Sequence, residues 1–200
     1  LVPGLIFVWM YHPYLFPTPA HPFDKSHQLL VMTYNVLFSN MDYDAVANVV
    51  LPHQPDLVAL QEVQPEMMNA LGERLADDYP YSFLGTENTY GTTAVFSRYP
   101  FAETEIVDLQ ADRPAVVVKT KINNQDITFI ATHLLAYNLW WTKLPDIPEV
   151  VMQRTTNQNQ QARILLERID SKDGIVIIGC DCNSYETSSS YRIFDQFMNN

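Results

Sequence analysis

The chain has 200 residues, 47% hydrophobic and 18% charged, a profile that fits one globular domain with a substantial core and excludes a disordered chain. Its formal net charge is −11 and its pI is near 4.7, so its surface repels polyanions. The twelve Lys and Arg are scattered rather than gathered into a basic groove, which places nucleic acid below smaller phosphorylated molecules as a partner.

Residues 1–23 carry no Asp, Glu, Lys or Arg. The apolar run LVPGLIFVWMYHPYLFP has Trp9, Tyr11 and Tyr14 towards its end, where aromatic rings favour the headgroup level of a bilayer. Residues 1–16 are therefore expected to anchor the chain in or against a membrane, with Pro-rich residues 17–27 leading away as a stiff linker. The run is shorter than the roughly 20 residues of a full span, and an arm packed on the domain is the other reading. It is not expected to be a cleaved signal peptide, because no basic stretch precedes it and no small-residue cleavage site follows it.

The globular domain is expected over residues 28–200. QLLVMTYNVLF is β-prone, YDAVANVVLPHQ reads as a helix ended between Pro52 and Pro55, and DLVALQEV is a continuous apolar strand of the buried type. PEMMNALGERLADDY has helical spacing with Pro65 in its first turn. Shorter strands follow in YSFLG, TTAVFS, AETEIVDLQ, AVVVKTKI and DITFIATHLL, the last two joined by a tight turn at Asn123-Asn124-Gln125.

Residues 135–151 are apolar for a loop and carry Trp140 and Trp141; these either touch a bilayer or partner or simply cover the domain. Residues 149–170 have amphipathic helical spacing with Ile164, Leu165 and Ile169 inward, and GIVIIGCDCN is another buried strand. In an extended strand Cys180 and Cys182 would share a face roughly 6.6 Å apart at Cα, so they are expected to be packed thiols rather than a mutual disulfide. Alternating α/β units and hairpins predict two β layers faced by helices, a four-layer α/β (α+β) sandwich.

Four polar segments stand at the ends of apolar strands: Thr33-Tyr34-Asn35, Gln61-Glu62, Thr132-His133 and Asp181-Cys182-Asn183. A strand that buries Val58, Ala59 and Leu60 has no packing use for a carboxylate at its end, so Glu62 must be solvated, paired or bound to a cation. The same holds for Asp181. Collected along one edge, two carboxylates and the Asn amides make a hard oxygen site suited to Mg²⁺. Singly, each residue has an ordinary structural explanation: Asn35 in a loop bond, Glu62 as a helix cap, His133 as a core histidine.

In order and context these segments resemble the endonuclease/exonuclease/phosphatase superfamily, from about Leu29 to Asn183. The resemblance is carried by TYNVL at Asn35, LVALQEV at Glu62, YGTTAVFSRYP, ATHLL at His133, and GCDCN at Asp181 and Asn183. It implies a phosphoesterase dependent on Mg²⁺ or Mn²⁺, with Asn35 and Glu62 binding the metal and His133, Asp181 and Asn183 catalytic. His133 and Asn183 would contact the phosphate, Asp181 would position or activate the attacking water, and Tyr90 would line the substrate site.

The sequence departs from the family pattern at Cys180, where a small residue is usual, and in having no Ser-Asp-His segment after Asn183. All five histidines, His12, His21, His27, His53 and His133, precede Asp181. The expectation is thus a sandwich without its C-terminal strands, weak turnover, and an incomplete sheet edge open to a protein partner. The expected substrate is a phosphodiester or phosphomonoester of a small molecule or lipid headgroup. The chain would be tethered to a membrane and, by resemblance to bacterial anchored members, lie outside the cytoplasm. The alternatives are a catalytically silent accessory or binding subunit and a nuclease.

Overall fold

A strand that is apolar on both faces needs material packed against both, and that demand sets the layer order of this protein. In the computed structural model Gly4, Leu5, Phe7, Val8, Tyr11 and residues 28–86, 91–110, 113–169 and 174–198 are described. One sheet has the order β1-β2-β4-β3, from β1 (Val31–Asn35), β2 (Leu57–Val63), β3 (Tyr81–Leu84) and β4 (Thr92–Ser97). The other has the order β5-β6-β7-β8, from β5 (Phe101–Val107), β6 (Ala115–Ile122), β7 (Gln125–His133) and β8 (Ile175–Asp181). β1 pairs parallel with β2 and β7 parallel with β8; the remaining pairs are antiparallel.

The period of two in β2 divides the core. Val58 and Leu60 face α1 (Tyr43–Val50) and α2 (Pro65–Leu75), packing with Val46, Val50, Met67 and Leu71. Leu57 and Ala59 point the other way, against Val116, Val118 and Phe129 of the second sheet. Beyond that sheet, Val117, Ile130 and Leu134 pack on Leu165 of α3 (Ile147–Leu166), and α4 (Ser189–Met198) lies against α3. The order is helix, sheet, sheet, helix, the expected four-layer sandwich. Asp42 opens α1 by accepting from the Ala45 N–H at 2.9 Å, and Pro65 sits in the first turn of α2, where its missing N–H costs nothing.

The structure differs from the sequence expectation in places. α3 begins at Ile147 rather than residue 149, because Pro148 opens the helix instead of ending the preceding loop. Cys180 and Cys182 form a disulfide rather than standing as separate thiols, with Cα atoms 5.1 Å apart. The expectation assumed extended backbone through both residues. β8 ends at Asp181 and Asn183 has φ +45°, so the chain turns at Cys182 and brings the pair within bridging range. Of the expected anchor, Gly4, Leu5, Phe7, Val8 and Tyr11 are helical and exposed, with the Phe7 and Tyr11 rings 4.7 Å apart. The rest of residues 1–16 and the whole linker 17–27 lie outside the described residues. Among the described residues no helix is long and apolar enough to cross a membrane.

The two sheets lie close together at Gly179, where an added Cβ would lie 2.7 Å from the Ala59 Cβ of the facing sheet and 3.2 Å from the Phe129 ring of its own. Gly179→Ala should therefore cost about 1–3 kcal/mol through overpacking. Urea unfolding should show a lower midpoint at unchanged m-value; an unchanged midpoint would mean that the sheets have room to part.

Candidate active site

Strand register gathers the polar strand ends. Parallel pairing sets Asn35 beside Gln61 and His133 beside Asp181, while β1 and β8 lie against each other across the sandwich. Gln61 ties the first pair together by donating to Thr33 Oγ1 at 3.0 Å.

Glu62 reaches the same place by a break in the strand. Under strict alternation it would follow Val58 and Leu60 into the helix-facing core. The β2–β4 register instead shifts between Leu60 and Val63, and Glu62 has φ +64°, a left-handed conformation uncommon for residues other than glycine. Such a bulge re-aims a side chain. Gly91, at φ +76°, makes room for it: a Cβ there would lie 2.5 Å from the Glu62 carbonyl carbon and oxygen.

The side chains form one network. Asn35 Nδ2 donates to Asp181 Oδ2 at 2.8 Å and to Glu62 Oε1 at 3.2 Å. Its Oδ1 accepts from the Leu37 N–H at 2.9 Å, which fixes the amide orientation. The Phe38 N–H donates to Glu62 Oε2 at 3.0 Å. His133 lies beneath, with Nε2 3.4 Å from Asp181 Oδ2 and Nδ1 3.8 Å from Glu62 Oε1. Asn183 Nδ2 donates to the Leu134 carbonyl at 3.0 Å and stands 2.9 Å from His133 Nε2.

Arg113 belongs to this site although its residue type and position did not single it out in the sequence. Its Nη1 is 3.0 Å from His133 Nδ1, and its Nη2 is 3.7 Å from Glu62 Oε1. Of the two donors facing the ring, at Nδ1 and at Nε2, a neutral imidazole accepts from one while its other nitrogen keeps its proton, and a protonated imidazole accepts from neither. His133 is 3% exposed. Burial first, and the Arg113 charge second, hold its pKa below the usual 6.5, against the opposing pull of Asp181 and Glu62.

Asn35, Glu62, Arg113, His133, Asp181 and Asn183 line one cleft of about 770 Å³, with Trp140 and Arg154 also on its wall. The structure therefore brings together five of the six residues singled out in the sequence. The sixth, Tyr90, lies outside the described residues. His53 is remote: it follows α1 and its Nδ1 lies 2.9 Å from the Val49 carbonyl.

Among the described residues no group of three or more His, Cys, Asp or Glu side chains is arranged as a ready metal cage. The donor chemistry nevertheless fits a small hard cation. Glu62 and Asp181 both accept from the single Asn35 amide, so their oxygens converge on one point at the cleft floor. Mg²⁺ is commonly held by one or two carboxylates, with water completing its shell.

The sequence profile of the Endonuclease/Exonuclease/phosphatase family matches residues 32–200. The chain belongs to that family. Among solved structures it is similar to TDP2 from D. rerio complexed with a single-strand DNA product, at 20% identity and TM-score 0.65, covering 83% of this chain and 64% of that one. It is similar to sphingomyelinase C from Streptomyces griseocarneus at 19% identity and TM-score 0.65, covering 84% and 69%. A variant of beta toxin from Staphylococcus aureus with bound magnesium ions matches at 16% identity and TM-score 0.59, covering 78% and 62%. At these identities the likeness is one of fold, and the chain spans roughly two thirds of each neighbour's length. No curated protein sequence matches it.

Because His133 is kept neutral, the stability it contributes in metal-free protein is complete above about pH 6.5, its ordinary value. That contribution is lost as pH falls through the depressed folded value, since in this window only the unfolded chain takes up the proton. Urea unfolding at pH 7.5 and pH 5 should show a smaller loss for His133→Gln than for the native chain; equal losses would contradict the buried neutral ring.

Proposed function

We propose that the chain hydrolyses phosphoesters, diesters or monoesters, at this cleft in a reaction dependent on Mg²⁺ or Mn²⁺. The observation that carries this reading is the convergence of Glu62 and Asp181 on the Asn35 amide, in a cleft that also holds the Arg113 cation and a neutral His133. Family membership supports the reaction class, and the magnesium bound by the beta toxin variant supports the choice of ion.

Glu62 would hold the ion, and Asn35 would join it through Oδ1 on turning its amide away from the Leu37 N–H; the chemistry such an ion supplies is to polarise a phosphoryl oxygen and offset developing charge. Arg113 donates from the same wall to the remaining phosphate oxygens, where a guanidinium matches the geometry of the anion. Asn183 holds His133 by its Nε2 edge, and both face the phosphate. Asp181, at the free end of β8, orients the attacking water and draws its proton.

The neighbouring folds include one bound to a DNA product and one named a sphingomyelinase, so the family alone leaves both substrate classes open. A net charge of −11 favours a small phosphorylated molecule or a lipid headgroup over a polyanion. A membrane tether is supported by the absence of charge from residues 1–23. The Cys180–Cys182 disulfide supports a location outside the cytoplasm, where such bonds persist.

With bis-p-nitrophenyl phosphate and p-nitrophenyl phosphate as substrates, turnover should require Mg²⁺ or Mn²⁺ and stop with chelator. Glu62→Gln should lower kcat and abolish the rise in melting temperature on adding Mg²⁺; a retained rise would place the ion elsewhere. Arg113→Ala should lower kcat/KM by about 10²–10³, as for removal of a donor to developing charge, with partial recovery in Arg113→Lys. Unchanged kinetics would reduce Arg113 to a structural partner of Glu62.

A further inference from the structure

The chain leaving β7 does not run directly into α3. It makes two successive 3-10 turns, Leu139–Trp141 and Leu144–Asp146. These are closed by the Thr142 N–H donating to the Leu139 carbonyl at 3.0 Å and the Asp146 N–H donating to the Lys143 carbonyl at 2.9 Å.

The base of this knuckle is tied down. The Leu135 N–H donates to Gln161 Oε1 at 3.0 Å, Gln158 Nε2 donates to the Leu135 carbonyl at 2.7 Å, and the Tyr137 and Thr155 hydroxyls are 2.9 Å apart. Gln158 and Gln161 are both buried. The tip is the reverse: Trp140 is 89% exposed, Trp141 93%, Leu144 83%, and Met152, in the first half of α3, 67%. A fixed base that holds four large apolar side chains in water is a surface built for contact rather than a loop that failed to pack. Trp140 also lines the catalytic cleft, so whatever covers the knuckle sits at the cleft mouth.

We propose that this knuckle docks the cleft mouth onto a zwitterionic phospholipid surface. A consequence resting on the phosphoesterase reading is that the substrate is a phospholipid taken from that surface. Indole rings are amphipathic and settle at the headgroup level. Lys143, exposed between Trp141 and Leu144, places an ammonium where lipid phosphates lie. Exposed indole rings and Leu144 carried on two single turns suit a deformable apolar-polar boundary. The net charge of −11 selects a zwitterionic over an anionic bilayer. The same chain exposes a second set of apolar side chains, Leu5, Phe7 and Val8, within its charge-free first 23 residues.

The test uses the full chain carrying Trp9→Phe, so that only Trp140 and Trp141 emit. Phosphatidylcholine vesicles should shift the emission to the blue, and bromine-labelled lipid should quench it. Trp141→Ser with Leu144→Ser, neither of which lines the cleft, should weaken vesicle binding by about tenfold or more. The same double variant should keep kcat/KM on soluble bis-p-nitrophenyl phosphate within about twofold, as expected for sites without shared partners. Emission that is neither shifted nor quenched overturns the proposal, as does a knuckle buried in a dimer that the double variant dissolves. The optical readout needs no turnover. Quenching in an inactive chain would uphold the docking and reject the phosphoesterase reading, whereas activity without quenching would do the opposite.

Discussion

Two carboxylates from different sheets meet at a single amide. Glu62 comes from the first sheet and Asp181 from the second, and Asn35 Nδ2 donates to both. Left to themselves, two anions at a partly buried strand edge would repel and pull the sheets apart there. The Asn35 amide, the Phe38 N–H and the Arg113 guanidinium offset that repulsion, so the charge that makes the site useful also needs most of its neighbours to be polar donors. His133 stays neutral chiefly because it is buried, and secondly because the Arg113 guanidinium opposes another cation beside it.

Each supporting feature is a departure from regular structure. Glu62 turns out of its strand through a left-handed bulge, and Gly91 must lack a side chain to let that bulge close. Leu37 and Asn183 also have positive φ, which bends the chain just beyond β1 and β8 and aims the Leu37 N–H and the Asn183 amide back at the network. Regular strands deliver the residues to one edge, and irregular backbone aims them. Strain of this kind persists where the surroundings hold it in place.

That division explains what the sequence revealed. TYNVL, LVALQEV, ATHLL and GCDCN were legible because an apolar strand ending in a polar group leaves a periodic signature, and the same alternation in β2 and β6 points to helices outside and a sheet inside. The bulge at Glu62 left no such mark, since its φ depends on Gly91, 29 residues away in the chain. The disulfide was missed because bridging depends on the turn at Cys182, and two cysteines two apart look unbridgeable wherever the strand is assumed to continue. Arg113 was within reach. The Asn123-Asn124 turn sets Ile122 opposite Gln125 and Val116 opposite Ala131, and running that register back brings Arg113 alongside His133 and Leu134. Arg113 stands two residues before β6, whereas the other site residues stand at or just beyond strand ends, so no apolar run leads into it.

The bond from Asn35 to Asp181 spans 146 residues of chain, and this gives the site a place in time as well as in space. Hairpins such as β6–β7 can form from near neighbours in the chain, whereas the β1–β8 edge must wait until both sheets exist and have docked, because long-range closure carries its entropic cost before any contact repays it. The edge that carries the cleft is therefore expected to close late in folding and to open early. Amide hydrogen exchange there should follow local opening of the sandwich rather than its global unfolding, and any ligand that bridges the two carboxylates acts as a clasp on the last seam to close.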